Sequence, residues 1–143
     1  MFEEDYSYNM LKKQFINVMM KGGKKSTAEK ILNQTFVCIQ EQELNPKEIF
    51  LLALNNAGPL VATRPRKRGR NVTHVPVPLT GKKRLGITIK WILLGANTRS
   101  DSSMALKLAH ELIGLSKGHG KAIKMQSSLH QHVYNNRMHI NYR

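Results

Sequence analysis

Hydrophobic positions in the first 60 residues recur at helical spacing and predict three helices. Leu11, Phe15 and Met19 share one face of the first helix. The double glycine Gly22–Gly23 follows that face directly, and glycine is the usual residue just past a helix end. The first predicted helix therefore ends before residue 22.

Capping signals predict where the second and third helices begin. Ser26 followed by Glu29 fits a capping box. The stripe that follows is apolar at helical spacing and consists of Ala28, Ile31, Leu32, Thr35, Phe36 and Ile39. For the third helix, Asn45 is the predicted N-cap and Pro46 the first residue. Gly58–Pro59 is expected to end it.

Two segments rich in β-branched residues flank Gly69 and predict two strands joined by a turn. The second of them carries Val72, Thr73, Val75 and Val77. Pro65, Pro76 and Pro78 each remove a backbone donor, which confines both strands to sheet edges. The pattern predicts a protruding β-hairpin over about residues 60–79.

The segment from Leu85 to Ala96 fits two patterns. Strict alternation through Trp91 fits a strand, while Leu85 and Thr88 also lie on one helical face with Ile92. Because the apolar extension makes the segment longer than a usual strand, a helix is favoured.

Two further helices complete a mainly α fold of about six helices with one inserted hairpin. Ser100 or Asp101 is expected to cap a helix with the apolar face Met104, Ala105, Leu108, Ala109, Leu112 and Ile113. The last helix runs from Lys121 to about Arg137 and keeps only a thin apolar line, formed by Ile123, Leu129 and Val133. Such a polar helix is typical of one that bridges solvent or lies on a polar surface.

Positive charge is concentrated in the second part of the chain. Residues 1–60 hold seven lysines and seven acids, whereas residues 61–143 hold sixteen Lys plus Arg against Asp101 and Glu111, so the net charge of +14 belongs to the second part. A surface that only confers solubility mixes both signs. A one-sided excess indicates a nucleic acid partner. Its densest run, at the predicted hairpin tip, contains Arg64, Arg66, Lys67, Arg68 and Arg70.

Other classes of protein find little support in the sequence. No stretch approaches the ~20 apolar residues that span a bilayer, and the acidic start Glu3–Asp5 is opposite to an export or import presequence. The chain is therefore expected to work where it is made or to have been processed.

The lone Cys38 is expected to be a core residue in a reducing compartment. Six histidines without a ligand pattern and two acids after residue 60 predict no enzyme, no metal and no cofactor. At 143 residues, one domain spanning 1–143 is expected, with no homo-oligomer.

Five strings stand in order along the chain: Lys24–Glu29, Arg64–Arg66, Val75–Val77, the segment around Trp91, and Ser103–Ala109. In this order and spacing they resemble the small-subunit ribosomal protein seven family in its bacterial and organellar form. The resemblance is collinear from about Asn9 to Arg143. It implies a bundle of about six helices with a β-hairpin between the third and the fourth, and it favours a helix for the ambiguous segment.

The resemblance also implies a function. Members of the family bind the 3′ major domain of small-subunit rRNA early in assembly, nucleate folding of the head, and place the hairpin near the exit-site tRNA and the mRNA path, with head proteins as neighbours. The hairpin cations Arg64, Arg66, Lys67, Arg68 and Arg70 then become the expected RNA contacts.

Further RNA contacts are expected from cations placed against the helix dipole and from the last helix. Cations at a helix start gain nothing from the dipole and indicate an external anion. These positions are Lys24, Lys25, Lys82, Lys83 and Arg84. On the last helix and its tail, Lys121, Lys124, Arg137, Tyr142 and Arg143 are expected to lie on RNA. Tyr142 is read either as a base-stacking or as a packing residue.

Departures from the family and rival classes complete the picture. The chain has Glu3–Asp5 where bacterial members carry a basic arm, and together with seven methionines this drift favours an organelle-encoded protein, mitochondrial before plastid or bacterial. The rivals are a DNA-architectural protein with a basic β-arm and a transient rRNA assembly factor. DNA-bending arms carry an apolar or proline wedge at the tip, and this tip offers only Gly69 between arginines.

Overall fold

The computed structural model describes residues 7–141, apart from the side chain of Arg68. These residues form six α-helices, one two-stranded sheet and a short 3₁₀-helix. The helices are α1 Tyr8–Met19, α2 Lys25–Gln40, α3 Pro46–Ala57, α4 Gly81–Asn97, α5 Met104–Ser116 and α6 Lys121–Asn135; the strands are β1 Val61–Arg68 and β2 Asn71–Pro78, and the 3₁₀-helix is Arg137–His139. The predicted fold class is confirmed, and the segment that fitted two patterns is a helix, α4.

One hydrophobic core joins all six helices. Near its centre lies the fully buried ring of Phe50. Three rings meet it edge to face at centroid distances of 6.1, 5.5 and 5.8 Å, from Tyr8, Phe15 and Phe36. Burial raises the pKa of the Tyr8 phenol. Cys38 packs half-buried against this core, as the sequence predicts.

The start of α3 is capped as the sequence predicts. Asn45 Oδ1 accepts a hydrogen bond from the Lys47 backbone N–H at 3.2 Å, and Pro46 holds the first helical position. We expect Asn45→Ala to lower the free energy of unfolding by about 1 kcal/mol, because one helix-end donor loses its partner. Urea denaturation followed by circular dichroism measures this change. Asn45→Ser keeps an oxygen acceptor and is the control; equal losses in both variants would exclude the cap bond as the cause.

The predicted capping box of α2 is wrong. The helix begins one residue earlier than Ser26, with Lys24 as N-cap, and no side chain caps it. The reason lies in the preceding turn, where Gly22 and Gly23 have φ values of 58° and 75°. This left-handed glycine turn starts the helix early, so Ser26 lies inside its first turn.

The predicted cap of α5 is also displaced. Ser103, and not Ser100 or Asp101, caps the helix, since its Oγ accepts from the Leu106 N–H at 3.3 Å. The Asp101 carboxylate instead lies 3.2 Å from Nδ1 of His110, about two helical turns into α5. The Asp101 side chain therefore contacts His110 and does not cap the helix.

The hairpin is antiparallel and isolated from any other strand among the described residues, so both strands are edges, as predicted. Its loop is Gly69 and Arg70, and Gly69 has φ 60°, as a type II′ loop requires of its first residue. Arg64 pairs with Val75, and Arg66 pairs with Thr73. Because side chains alternate along a strand, these two arginines share one face of the hairpin.

The root of the hairpin is fixed by side chains from two helices. The Gly58 carbonyl, which follows α3, accepts hydrogen bonds from Gln126 Nε2 of α6 at 3.1 Å and from Arg84 Nη2 of α4 at 3.4 Å. Above the root, Val75 is only 1% exposed. The hairpin therefore protrudes only beyond its packed lower half.

Candidate nucleic-acid interface

The outer half of the hairpin presents cations that have no partner of opposite charge among the described residues. Arg64, Arg66, Lys67 and Arg70 are all exposed. None of them forms an ion pair with a carboxylate within residues 7–141. Arg68 lies in β1 opposite Asn71, and its side chain is outside the described part. The hairpin thus keeps its positive charge available for an external anion.

Helix α6 adds a polar face that leads to the hairpin. Lys121, Lys124, Ser128 and His132 follow one another at intervals of three or four residues, so they lie on the same side of the helix. They line a shallow groove of about 590 Å³ together with Trp91 of α4. Ala122 is the only residue of α6 that is fully buried, which confirms the polar character predicted for the last helix.

A histidine pair joins this helix face to the hairpin. The rings of His74 in β2 and His132 in α6 lie 5.3 Å apart, edge to face. The helix face therefore adjoins the hairpin at His74, whereas Arg64 and Arg66 lie on the hairpin face opposite to His74. The helix face and both faces of the hairpin are together called here the α6–hairpin surface. Its members are Arg64, Arg66, Lys67, Arg70, His74, Lys121, Lys124 and His132.

The end of α6 carries a second aromatic and cationic pair. The guanidinium of Arg137 lies over the ring of Tyr134 at 4.0 Å, and both side chains are exposed. An aromatic ring stacked by arginine is a surface on which nucleobases also stack. The expected contacts Tyr142 and Arg143 lie outside the described residues.

The cations at the start of α4 divide into two kinds. Lys82 and Lys83 are exposed in the first turn, which contains no acid. Arg84 is half-buried and donates to the Gly58 carbonyl at the hairpin root. Arg84 therefore has a structural bond of its own, and its contact with RNA stays a prediction.

The predicted pair at the start of α2 lies apart from the hairpin. Lys24 and Lys25 are exposed, and Lys25 Nζ is 4.0 Å from the Glu29 carboxylate. Lys24 borders the end of α4 near Asn97, about 22 Å along that helix from Lys82 at 1.5 Å per residue. The structure does not bring Lys24 and Lys25 together with the α6–hairpin surface.

One buried carboxylate that the sequence reasoning missed holds α6 in place. Glu111 of α5 is 2% exposed, and its Oε2 lies 2.8 Å from Nε of Arg99. Its Oε1 accepts from the Lys121 backbone N–H at 3.3 Å. The acid thus supplies the N-terminal cap that no neighbouring side chain provides. A glycine-flanked, uncapped helix start, such as Gly118–Lys121, is the sequence signal for such a remote cap.

Neither a cluster of metal ligands nor a membrane-spanning helix is found among the described residues. No group of three or more His, Cys, Asp or Glu between residues 7 and 141 is placed to hold a metal ion. In the same range, no helix combines the length and apolar character needed to cross a membrane.

A helical bundle with exposed cations on a hairpin and on a polar helix, whose hairpin cations pair with no carboxylate among residues 7–141, fits the class of nucleic-acid-binding proteins. Comparison with known proteins is consistent with this class. The family model described as ribosomal protein S7p/S5e matches residues 2–137.

Individual relatives agree with the family model. The small ribosomal subunit protein uS7 of Variovorax paradoxus (strain S110) is 36% identical over 132 residues, which are 91% of this chain and 84% of the relative. The protein of the same name from Salinibacter ruber (strain DSM 13855 / M31) is 36% identical over 126 residues, 87% of this chain and 80% of the relative. That of Burkholderia cenocepacia (strain HI2424) is 37% identical over 131 residues, 91% and 84%. The chain belongs to the ribosomal protein S7p/S5e family.

Proposed function

We propose that this chain is a structural constituent of the small ribosomal subunit. In this role it binds the 3′ major domain of the rRNA, helps to nucleate folding of the head, and places its hairpin near the exit-site tRNA and the mRNA path. Family membership supports the role, and the α6–hairpin surface supports its RNA-binding part. The decisive observation is that four exposed hairpin cations have no carboxylate partner within residues 7–141.

The mechanism is positional and involves no catalysis, in keeping with a family of structural proteins. Arginine and lysine side chains neutralise phosphates and release condensed counterions, so binding weakens steeply with salt. Phosphate contacts fix the register of the protein on the RNA, and the folded shape of an rRNA junction supplies specificity. The RNA contacts proposed within the described part are Arg64, Arg66, Lys67, Arg70, Lys82, Lys83, Arg84, Lys121, Lys124 and Arg137, with Lys24 and Lys25 as a separate group.

The cellular compartment of the protein follows less directly from family membership than its role does. The three relatives are bacterial proteins, which fits the bacterial alternative. The mitochondrial location stays a prediction from the acidic start and the methionine content.

The first test is sedimentation of a lysate through a sucrose gradient in high salt. We expect the protein to remain stoichiometric with the small subunit, as measured by quantitative mass spectrometry, because many phosphate contacts are distributed over its surface. A resident small-subunit protein of established stoichiometry is the internal control. Recovery only from immature particles would favour the transient assembly factor, and recovery with DNA or as free protein would contradict the ribosomal role.

A competition experiment addresses the DNA-architectural alternative. The purified protein is bound to a labelled fragment of the rRNA head domain and challenged at one salt concentration with unlabelled head-domain RNA or with duplex DNA of equal phosphate content. The ribosomal role predicts efficient competition by the RNA only. Equal competition would show that phosphate charge alone is recognised.

A further inference from the structure

A second recessed surface lies where four helix ends meet, away from the hairpin. The ends of α1 and α4 and the starts of α2 and α5 enclose a groove of about 270 Å³. Its walls are apolar and consist of Val18, Met19, Met20, Ile31, Leu93 and Met104. Buried Ala28 also lines it. The small alanine side chain leaves the space that the larger residues surround.

Half-buried methionines give this groove its chemical character. Met19, Met20 and Met104 are partly exposed and pack against the core. Unbranched thioether side chains adapt to irregular apolar partners, and surfaces rich in methionine bind peptide segments. A groove of this kind fits aliphatic or aromatic side chains.

The rim of the groove is positively charged. Lys21 and Lys24 line it, are exposed, and have no carboxylate partner among residues 7–141. An apolar segment that carries a carboxylate next to its inserted side chain is therefore complementary in both shape and charge.

RNA and small molecules fit the groove less well. Nucleobases outside a helix stack on aromatic rings or arginine planes, and neither kind of side chain lines this groove. Its volume also lies below the roughly 300–1,000 Å³ of typical small-molecule sites. These observations favour a protein segment as the occupant.

We propose that this groove is the docking site for an apolar segment of another small-subunit protein, with an Asp or Glu beside the inserted side chain paired to Lys21. The inference rests on the proposed function, since the partner is a resident of the same particle. Lys24, on the same rim, belongs to the proposed RNA contacts, which places the groove at the edge of the RNA-binding area. A protein segment bound at that edge would contact both the rRNA and the helical bundle of this chain.

The test is a site-specific photocrosslink in intact small subunits. Asn97 is exposed on the rim, and Asn97→p-benzoyl-phenylalanine puts the reactive group beside the groove. After irradiation of high-salt-washed subunits, we expect mass spectrometry to find a peptide of another small-subunit protein that combines an apolar residue with an adjacent acid. A crosslink only to rRNA, to a second copy or within this chain would overturn the proposal, as would no crosslink.

Second substitutions distinguish docking from mere proximity. In the crosslinking chain, Met20→Gln and Lys21→Glu should each lower the yield of that peptide by about tenfold. Met10→Gln and Lys30→Glu alter exposed residues of the same types outside the groove and should leave the yield within about twofold. If the two groove variants and the two control variants lowered the crosslink yield equally, the proposal would be contradicted.

The two proposals fail in different ways. If the chain does not sediment with the small subunit, both fail. If it sediments stoichiometrically and the groove crosslinks only to rRNA, the ribosomal role stands and the docking site is wrong.

Discussion

Replacing Arg64, Arg66 and Lys67 together by glutamate is expected to weaken binding to an rRNA head-domain fragment by on the order of 1,000-fold at moderate salt. Each change removes one proposed phosphate contact and adds a repelling charge. The slope of log affinity against log salt should fall by about 2–3. Filter binding over a salt series measures both quantities. Helix content should stay unchanged, because all three side chains are exposed and have no carboxylate partner among residues 7–141.

A matched triple variant controls for net charge. Lys13→Glu, Lys30→Glu and Lys47→Glu change the total charge equally, at exposed positions on α1, α2 and α3. We expect a loss of about tenfold or less from this variant, through long-range repulsion alone. If both triples lost affinity equally, the hairpin would have no special place in RNA binding.

Glu111→Ala is expected to lower the free energy of unfolding by about 3 kcal/mol. The carboxylate is buried, lies 2.8 Å from Nε of Arg99 and caps the N–H of Lys121. Its removal leaves a guanidinium and a helix-end donor without their partner. Because the Arg99 side chain is 33% exposed, water replaces part of the lost interaction, which places the estimate at the low end for a broken buried pair. Urea denaturation followed by circular dichroism gives the value.

Two other variants test whether this junction is the cause. Asp101→Ala breaks the more exposed pair with His110 and should cost about 1 kcal/mol or less. Gly95→Ala leaves the acid in place, but its new methyl group would overlap Glu111 Oε1 and force the carboxylate to move. We expect Gly95→Ala to lower the free energy of unfolding by an amount between the losses for Glu111→Ala and Asp101→Ala. Comparable small losses for Glu111→Ala and Asp101→Ala would show that the junction contributes no more than a surface pair.

Local patterns were sufficient for most of the fold because most of its signals are local. The stripe of α2, the cap of α3 and the glycine of the hairpin loop each depend on residues within a few positions. Segment length and family resemblance, and not periodicity, favoured a helix at residues 85–96. In the structure, Leu85, Ile89, Ile92 and Ala96 of α4 are all fully buried in the core.

The candidate site was less predictable because it depends on contacts between distant segments. Sequence reasoning found the cations of the hairpin and of α6 but not the contact of His74 with His132, which joins two segments 58 positions apart. Charge counting noted Glu111 as one of two acids after residue 60 but gave no sign that it caps α6. It also grouped Arg84 with Lys82 and Lys83, although the structure bonds Arg84 to the Gly58 carbonyl.

The two hydrogen bonds that the Gly58 carbonyl accepts fix the hairpin at one end, its root. Eight residues of β1 extend over roughly 26 Å at 3.3 Å per residue. A sideways push on the tip, by the tRNA or mRNA proposed to pass there, would act as a torque on the root over the part of that length that protrudes beyond the packed lower half. Because Gly58 follows α3 and is bonded by side chains of α4 and α6, three helices would receive that torque together. The bundle would thus resist bending as one body, and the tip would keep its direction under load.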